Sequence, residues 1–339
     1  MSAAATSSHP RLLADVGGTH ARFGWVDAPG GRIDWIRQYR CSDHASLESI
    51  VAFYLADQRR PAPRAAAIGI ATTVDADRVT MTNLPWSFSI EAMRERFALD
   101  RLVVLNDFAA LALATPLLGA DAFRRVGDGA AKAGAPIAVL GPGTGLGVAG
   151  LLHGPRGTWL PVVGEGGHAT LCAVDAVEDD VLAILRRRWP HVSAERVLSG
   201  PGLVNLHRAL AERTGDTVEA LGPADIVTRA LDRSDPHCVE TVERFLGFLG
   251  SFAGNLALTL GAQGGVYIGG GIVPRLGERV AASCLRERFE SKGRFSAYLA
   301  RIPTSIITTP DDAALRGADR ALDDRLAQDA DSDGSAERR

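Results

Sequence analysis

Cysteine is scarce: four residues in 339, Cys41, Cys172, Cys238 and Cys284, far apart and without a CxxC or any other metal-ligand spacing. Free thiols in a reducing cytoplasm are the expectation, and with them a cytoplasmic protein. No charge of one sign dominates. A net charge of −3 gives no argument for nucleic acid or an anionic membrane surface as partner. No apolar run reaches the length of a membrane span. Residues 1–10 are small and polar with no apolar h-region, so no signal peptide is expected. Residues 327–339 are polar, with alanine the only apolar type, and are expected to be a disordered tail.

The chain is too long for one ordinary core, and two domains are expected. Its 46% hydrophobic and 23% charged content is that of a globular protein. Two glycine-rich loops share one grammar: Ala14-Asp-Val-Gly-Gly-Thr-His-Ala-Arg22 and Leu140-Gly-Pro-Gly-Thr-Gly-Leu-Gly147. Each joins two short apolar runs, which predicts strand, tight turn, strand. Glycine exposes backbone N–H groups to an anion and threonine adds a hydroxyl donor. One such loop is a hairpin; two can hold a polyphosphate. Neither has the Lys-Ser/Thr ending of a Walker loop. Two literal dinucleotide-type matches fail as well. Residues 145–150 run on into a strand, and residues 164–169 carry Glu165, which would repel a pyrophosphate.

The spacing predicts strands at 12–16, 21–27, 34–40, 65–71 and 101–105, with helices around Leu47–Tyr54 and 108–114. The second part repeats the plan: strands at 136–141, 146–152 and 158–163, helices at 174–188, 202–213 and 239–260, and a strand at 266–268. A helix is expected after Pro274, a last strand at 305–308 and a helix from Asp311. Each half starts with three antiparallel strands, a weak internal duplication.

Several polar residues stand where chemistry happens. Asn106-Asp107 ends a strand and precedes a helix, the usual ligand position in an α/β sheet, although an Asp there also caps helices. In Gly164-Glu-Gly-Gly-His168 an acid and an imidazole bracket two glycines; they can converge on a small ligand or form an ion pair on a turn. Glu195 resembles any surface glutamate. Gly269-Gly270-Gly271 lets a flat ring approach the backbone, or makes a tight turn. Asp15, at the end of the first buried strand, can hold Mg²⁺ through water or cap its turn.

These motifs follow one another in an order that resembles the bacterial ATP-dependent glucokinase family, in its branch without the zinc motif. They are Asp15-Val-Gly-Gly-Thr19, Asn106-Asp-Phe108, Gly143-Thr-Gly-Leu-Gly147, Gly164-Glu-Gly-Gly-His168, Glu195-Arg-Val-Leu-Ser-Gly200 and Gly269-Gly-Gly-Ile-Val-Pro-Arg275. The resemblance runs from about Leu12 to Ala318. It implies an α/β, two-domain actin/hexokinase-like fold, a duplicated ribonuclease H-like design with a central cleft, assembled as a homodimer. The expected domains are 10–116 with 309–326, and 117–308. Asp107 is implied as general base for the sugar 6-hydroxyl, and Asn106, Asp107, Gly145, Glu165, His168 and Glu195 as the glucose-binding set. Gly17, Gly18, Thr19, Gly143 and Thr144 resemble the phosphate loops for ATP, with Asp15 toward Mg²⁺. Gly269, Gly270 and Gly271 resemble part of the adenosine wall. His20, Ala71-Thr72 and Arg316 depart from the family pattern.

Three rivals compete, of which a filament-forming ATPase is opposed by the polar sugar-type constellation and the absence of long insertions. Another sugar or acid kinase of the same fold competes, but Glu165, His168 and Glu195 suit a polyol, whereas an acid substrate calls for Arg or Lys. A sugar-responsive regulator places a helix-turn-helix before the first loop, and none is expected ahead of Asp15.

Overall fold

A computed structural model describes residues 8–308 and 312–336. The chain divides into two compact units: Met1–Gly119 with Gly154–Pro161 and Thr309–Arg339, and Ala120–His153 with Val162–Thr308.

In the first unit, β1 (Arg11–Val16), β2 (His20–Val26) and β3 (Asp34–Arg40) form the antiparallel meander. Helix α1 (Leu47–Asp57) buries Leu47, Ile50, Val51 and Tyr54, as their helical spacing predicts. Strand β4 (Ala65–Ile70) is buried throughout. A small hairpin of β5 (Arg78–Thr80) and β6 (Ser87–Ser89) leads into α2 (Ile90–Arg96), then β7 (Arg101–Asn106) and α3 (Asp107–Ala114). The sheet order is β3-β2-β1-β4-β7, with β1, β4 and β7 parallel.

Alternation along β1 splits two cores. Leu12, Ala14 and Val16 pack with the α1 side chains, while Leu13 packs with Leu315, Ala318 and Leu322 of the C-terminal helix Ala313–Ala336. Arg11, on the Leu13 face, lies 2.7 Å from both Asp319 and Asp323 of that helix. The same helix crosses α3, where Gly317 lies against the backbone of Ala110. Arg316 stays at the surface, 2.8 Å from Asp312 one turn earlier, so its charge disturbs no packing. The helix continues to Ala336, which corrects the disordered tail expected over 327–336; Asp329 pairs with Arg325 one turn back and with Arg101 of β7. Asp311, the expected start of this helix, and residues 337–339 lie outside the described residues.

The second unit opens with β8 (Phe123–Arg125), β9 (Ile137–Pro142) and β10 (Leu146–His153), and takes in the last two residues of β11 (Trp159–Val163). Helices α4 (Ala176–Arg186), α5 (Gly200–Thr214), α6 (Pro223–Leu231) and α7 (Pro236–Leu260) follow. Then come β12 (Gly265–Ile268), α8 (Leu285–Glu290), α9 (Ser296–Ala300) and β13 (Thr304–Ile307). The sheet order is β11-β10-β9-β12-β13-β8. Strands β9, β12 and β13 are parallel, as β1, β4 and β7 are. The duplication therefore extends to strand order, with β8 an added antiparallel edge. Phe245, Phe248 and Leu249 of α7 pack with Ala138 and Leu140 of β9 and with Val266 and Ile268 of β12. After Pro274 the expected helix is a 3₁₀ stretch, Val273–Arg279, kinked where Gly277 turns to φ 56°. Among the described residues, no helix is long and apolar enough to cross a membrane.

Candidate active site

Both glycine loops lie at the same point of the duplicated plan, between the first and second strands of their meanders. In the first unit the Gly17 amide donates to His20 O at 2.9 Å and closes the turn. Gly17 and Gly18 are half-buried, and Thr19 is exposed. The Thr19 carbonyl accepts from the Cys41 amide at 2.9 Å, which ties the loop to the end of β3.

Register brings the acids of this unit to one sheet edge. Asp15 is level with Gly69 of β4, and Gly69 with Leu105 of β7. Asn106 and Asp107 follow at once. Asn106 caps α3: its Oδ1 accepts from the amides of Phe108 at 2.9 Å and Ala109 at 3.2 Å, and its Nδ2 donates to Thr72 O at 3.3 Å. The capping role therefore falls to Asn106. Asp107, the first helical residue, shares the Phe108 amide through its own Oδ1 at 2.9 Å. Burial raises the Asp15 carboxyl above its ordinary pKa, and the facing Arg22 only partly offsets this. A carboxylate so desolvated gains from a nearby cation.

In the second unit the Gly143 amide donates to Gly145 O at 2.8 Å, and Gly143 O accepts from the Gly200 amide at the start of α5, also at 2.8 Å. Glu195 reaches the same turn, its Oε2 accepting from the Leu146 amide at 2.9 Å. A Cβ on Gly145 would stand 2.5 Å from that oxygen, so the approach requires glycine there. Ser199 holds the segment from behind: its Oγ donates to Glu195 O at 2.8 Å and accepts from the Gly202 amide at 3.0 Å.

The turn carrying Glu165 and His168 is fixed by the His168 amide donating to Glu165 O at 3.0 Å. Just beyond it, the Ala194 amide donates to Ala169 O at 2.9 Å and the Leu171 amide to Val192 O at 3.0 Å. Glu195 is thereby clamped next to that turn. His168 Nε2 ends 4.0 Å from Glu165 Oε2 and 4.0 Å from Glu195 Oε1. That is beyond hydrogen-bond range, and a ligand hydroxyl can bond to both kinds of group. The structure thus joins the three residues that sequence spacing leaves apart, and Glu195 is no ordinary surface residue.

Gly269–Gly271 lies against the strand ahead of the second loop. The Gly269 amide donates to Leu140 O at 2.8 Å. Gly270 has φ +79° and faces the carbonyl of Pro142, so it needs glycine on both counts; Gly271 opens onto free space. Sequence reasoning missed the carbonyl of Thr72 and the amide of Leu146 as supports of Asn106 and Glu195. The only local signal was a polar residue two positions after a buried strand, at Thr72.

A family model described as Glucokinase matches residues 12–325. A curated Glucokinase of Aromatoleum aromaticum is 52% identical over 323 residues, covering 95% of this chain and 97% of that protein. The Bifunctional protein glk of Paraburkholderia xenovorans is 48% identical over 329 residues; the match covers 96% of this chain but 51% of that longer protein. A crystal structure of glucokinase from an Antarctic psychrotroph superposes with a TM-score of 0.82 at 38% identity, over 93% of this chain and 99% of that one.

Proposed function

The chain belongs to the glucokinase family, and from that membership we propose that it transfers the γ-phosphoryl group of ATP to the 6-hydroxyl of D-glucose. The observation that carries the choice of a sugar is the cluster of Glu165, His168 and Glu195 beside the Gly143–Gly145 turn, a set of hydroxyl partners where an acid substrate would call for cations.

In this proposal Asn106, Asp107, Glu165, His168, Glu195 and the backbone at Gly145 hold the sugar. Asp107 accepts the proton of the 6-hydroxyl as the new P–O bond forms. A strong base is not required, because the transition state is loose and the proton leaves late. Gly17–Thr19 and Gly143–Thr144 hold the phosphates. Since the amides of Gly17 and Gly143 close their own turns, these two residues shape the loops and the residues after them make the contacts. Gly269–Gly271 faces the adenosine.

Asp15 fits Mg²⁺: it is a hard oxygen ligand whose burial penalises an uncompensated charge. Bound there through water, the ion would neutralise charge on the phosphates. The proposal extends to a homodimer, as the family resemblance implies, and to the cytoplasm, where the four free cysteines would stay reduced.

The test is turnover of purified protein with ATP·Mg²⁺ against glucose, mannose, galactose and fructose. Glucose should have the highest kcat/KM. Turnover of none of them, or a preference for another hexose, overturns the proposal.

A further inference from the structure

Away from the sugar cluster, helices α5 and α7 bring three metal-ligating side chains together. His207 lies midway along α5, Asp235 is the residue capping α7, and Cys238 is in the first turn of α7. Their ligand atoms all lie within 4.8 Å of one another. Cys238 Sγ is 3.3 Å from Asp235 Oδ2 and 3.8 Å from His207 Nε2. A tetrahedral zinc, with Zn–S about 2.3 Å and Zn–N about 2.0–2.1 Å, sets an S···N separation of about 3.6 Å. The sulfur-to-nitrogen distance is within a few tenths of an ångström of that value, and the Asp235 carboxylate can close on the ion by side-chain rotation.

We propose that His207, Asp235 and Cys238 form a site for a divalent transition metal, Zn²⁺ above all, with a fourth position open to water. The donor set is soft enough for zinc and wrong for Mg²⁺, which takes oxygen ligands. His207 is 2% exposed and Cys238 fully buried, whereas Asp235 is half-exposed and gives the ion its way in. His207 Nε2 faces the Cys238 sulfur, so it is the nitrogen that would ligate the ion. On binding, the Cys238 S–H bond breaks, a Zn–S bond forms and the proton leaves to solvent. No oxidant or reductant is needed.

The surroundings hold the site in shape. His237 Nε2 is 2.9 Å from His207 O; a carbonyl only accepts, so that nitrogen carries the hydrogen. The His237 ring stands edge-on to His207 with centroids 4.5 Å apart. The cations that act on the cluster are Arg208 and Arg229, and Arg229 is engaged by Glu219 at 2.9 Å. The spacing is hidden in the sequence because only Asp235 and Cys238 are local; His207 comes from 31 residues before Cys238. A bound ion would pin α5 to the start of α7. Since α5 begins at the residues that hold Gly143 and Glu195, the ion would stabilise that region without entering phosphoryl transfer.

The test uses the full chain carrying Cys172→Ser, which removes the exposed thiol as a competing ligand. One equivalent of Co²⁺ should give visible d–d bands of four-coordinate cobalt with a thiolate-to-cobalt charge-transfer band in the near ultraviolet. Zn²⁺ should abolish both, and should raise the thermal midpoint. Adding Cys238→Ser should remove the charge-transfer band and the Zn²⁺-induced shift. Adding Asp235→Asn, which keeps the helix cap, should weaken Co²⁺ binding at least tenfold while the metal-free midpoint holds. Glucose phosphorylation without added zinc should be unchanged in both variants, which separates this site from the proposed kinase activity. Absence of four-coordinate cobalt bands at one equivalent, or the same spectrum after Cys238→Ser, overturns the proposal.

Discussion

Gly145 and Glu195 fit each other as gap and filler: Glu195 Oε2 takes the space where a Cβ on Gly145 would lie, 2.5 Å away, and accepts the Leu146 amide at 2.9 Å. A Gly145→Ala methyl group must push the carboxylate out. Gly145 is not in the left-handed region, so the effect is one of contact and not of backbone strain. Loss of a charged hydrogen bond costs roughly 1.5–3 kcal/mol, or roughly 10- to 150-fold in an equilibrium. The thermal midpoint should fall by a few degrees, and KM for glucose should rise because the displaced carboxylate no longer meets the sugar. An unchanged KM would show that Glu195 does not hold the sugar.

Asp107→Asn keeps the shape and removes the proton acceptor. Because Asn106 supplies the helix cap, α3 should remain intact. A general base contributes roughly 10²–10⁴-fold, and kcat should fall by about that much. Glucose binding, followed by titration calorimetry, should survive. A variant retaining most of its kcat would leave Asp107 with a structural role only.

Asp15→Asn separates stability from activity. Burial raises the Asp15 pKa, so the folded state binds the proton more tightly than the unfolded state. Stability is therefore lost as pH rises from the ordinary carboxyl value through the raised folded one, and the full penalty applies above it. The ligand-free Asn variant should melt higher than wild type at pH 8. That gap should close as pH falls below the ordinary carboxyl value of about 3.9, where folded and unfolded wild type are both protonated. Turnover with ATP·Mg²⁺ should drop at least roughly tenfold. A variant melting lower than wild type at pH 8 would show that the charge is already compensated.

The parts of the fold legible in the sequence are those with a local cause. Ala65–Ile70 shows itself as a buried strand because both its faces are covered, and α1 because four apolar residues fall on one helical face. Both glycine loops are legible because tight turns need particular residues. Strand β8 and the β5–β6 hairpin, three residues per strand, are too short for any periodicity to register. Arg316 reads only as a departure from the family pattern because its partner Asp312 comes into reach only once the helix forms. The setting of Glu195 is invisible for a similar reason. Its bond to the Leu146 amide spans 49 residues, and the clamp at Ala169 and Ala194 exists only in three dimensions.

Sugar discrimination follows from that clamp. With His168 Nε2 4.0 Å from each carboxylate, the three groups offer acceptors and a donor spaced for the hydroxyls of a hexose. A hydroxyl that is inverted or missing strands its partner, at roughly 1–3 kcal/mol for each loss and more for a charged group. Glucose should therefore exceed mannose and galactose in kcat/KM. Glu165→Gln retains one acceptor oxygen and loses the charge, so it should lower kcat/KM for glucose most and narrow the preference. Glu195→Gln should do the same and also weaken the hold on the Leu146 amide, which makes it the more damaging of the two. The measurement is kcat/KM for the three hexoses in wild type and both variants. Equal values for glucose and mannose in the wild type would show that these carboxylates do not read the sugar.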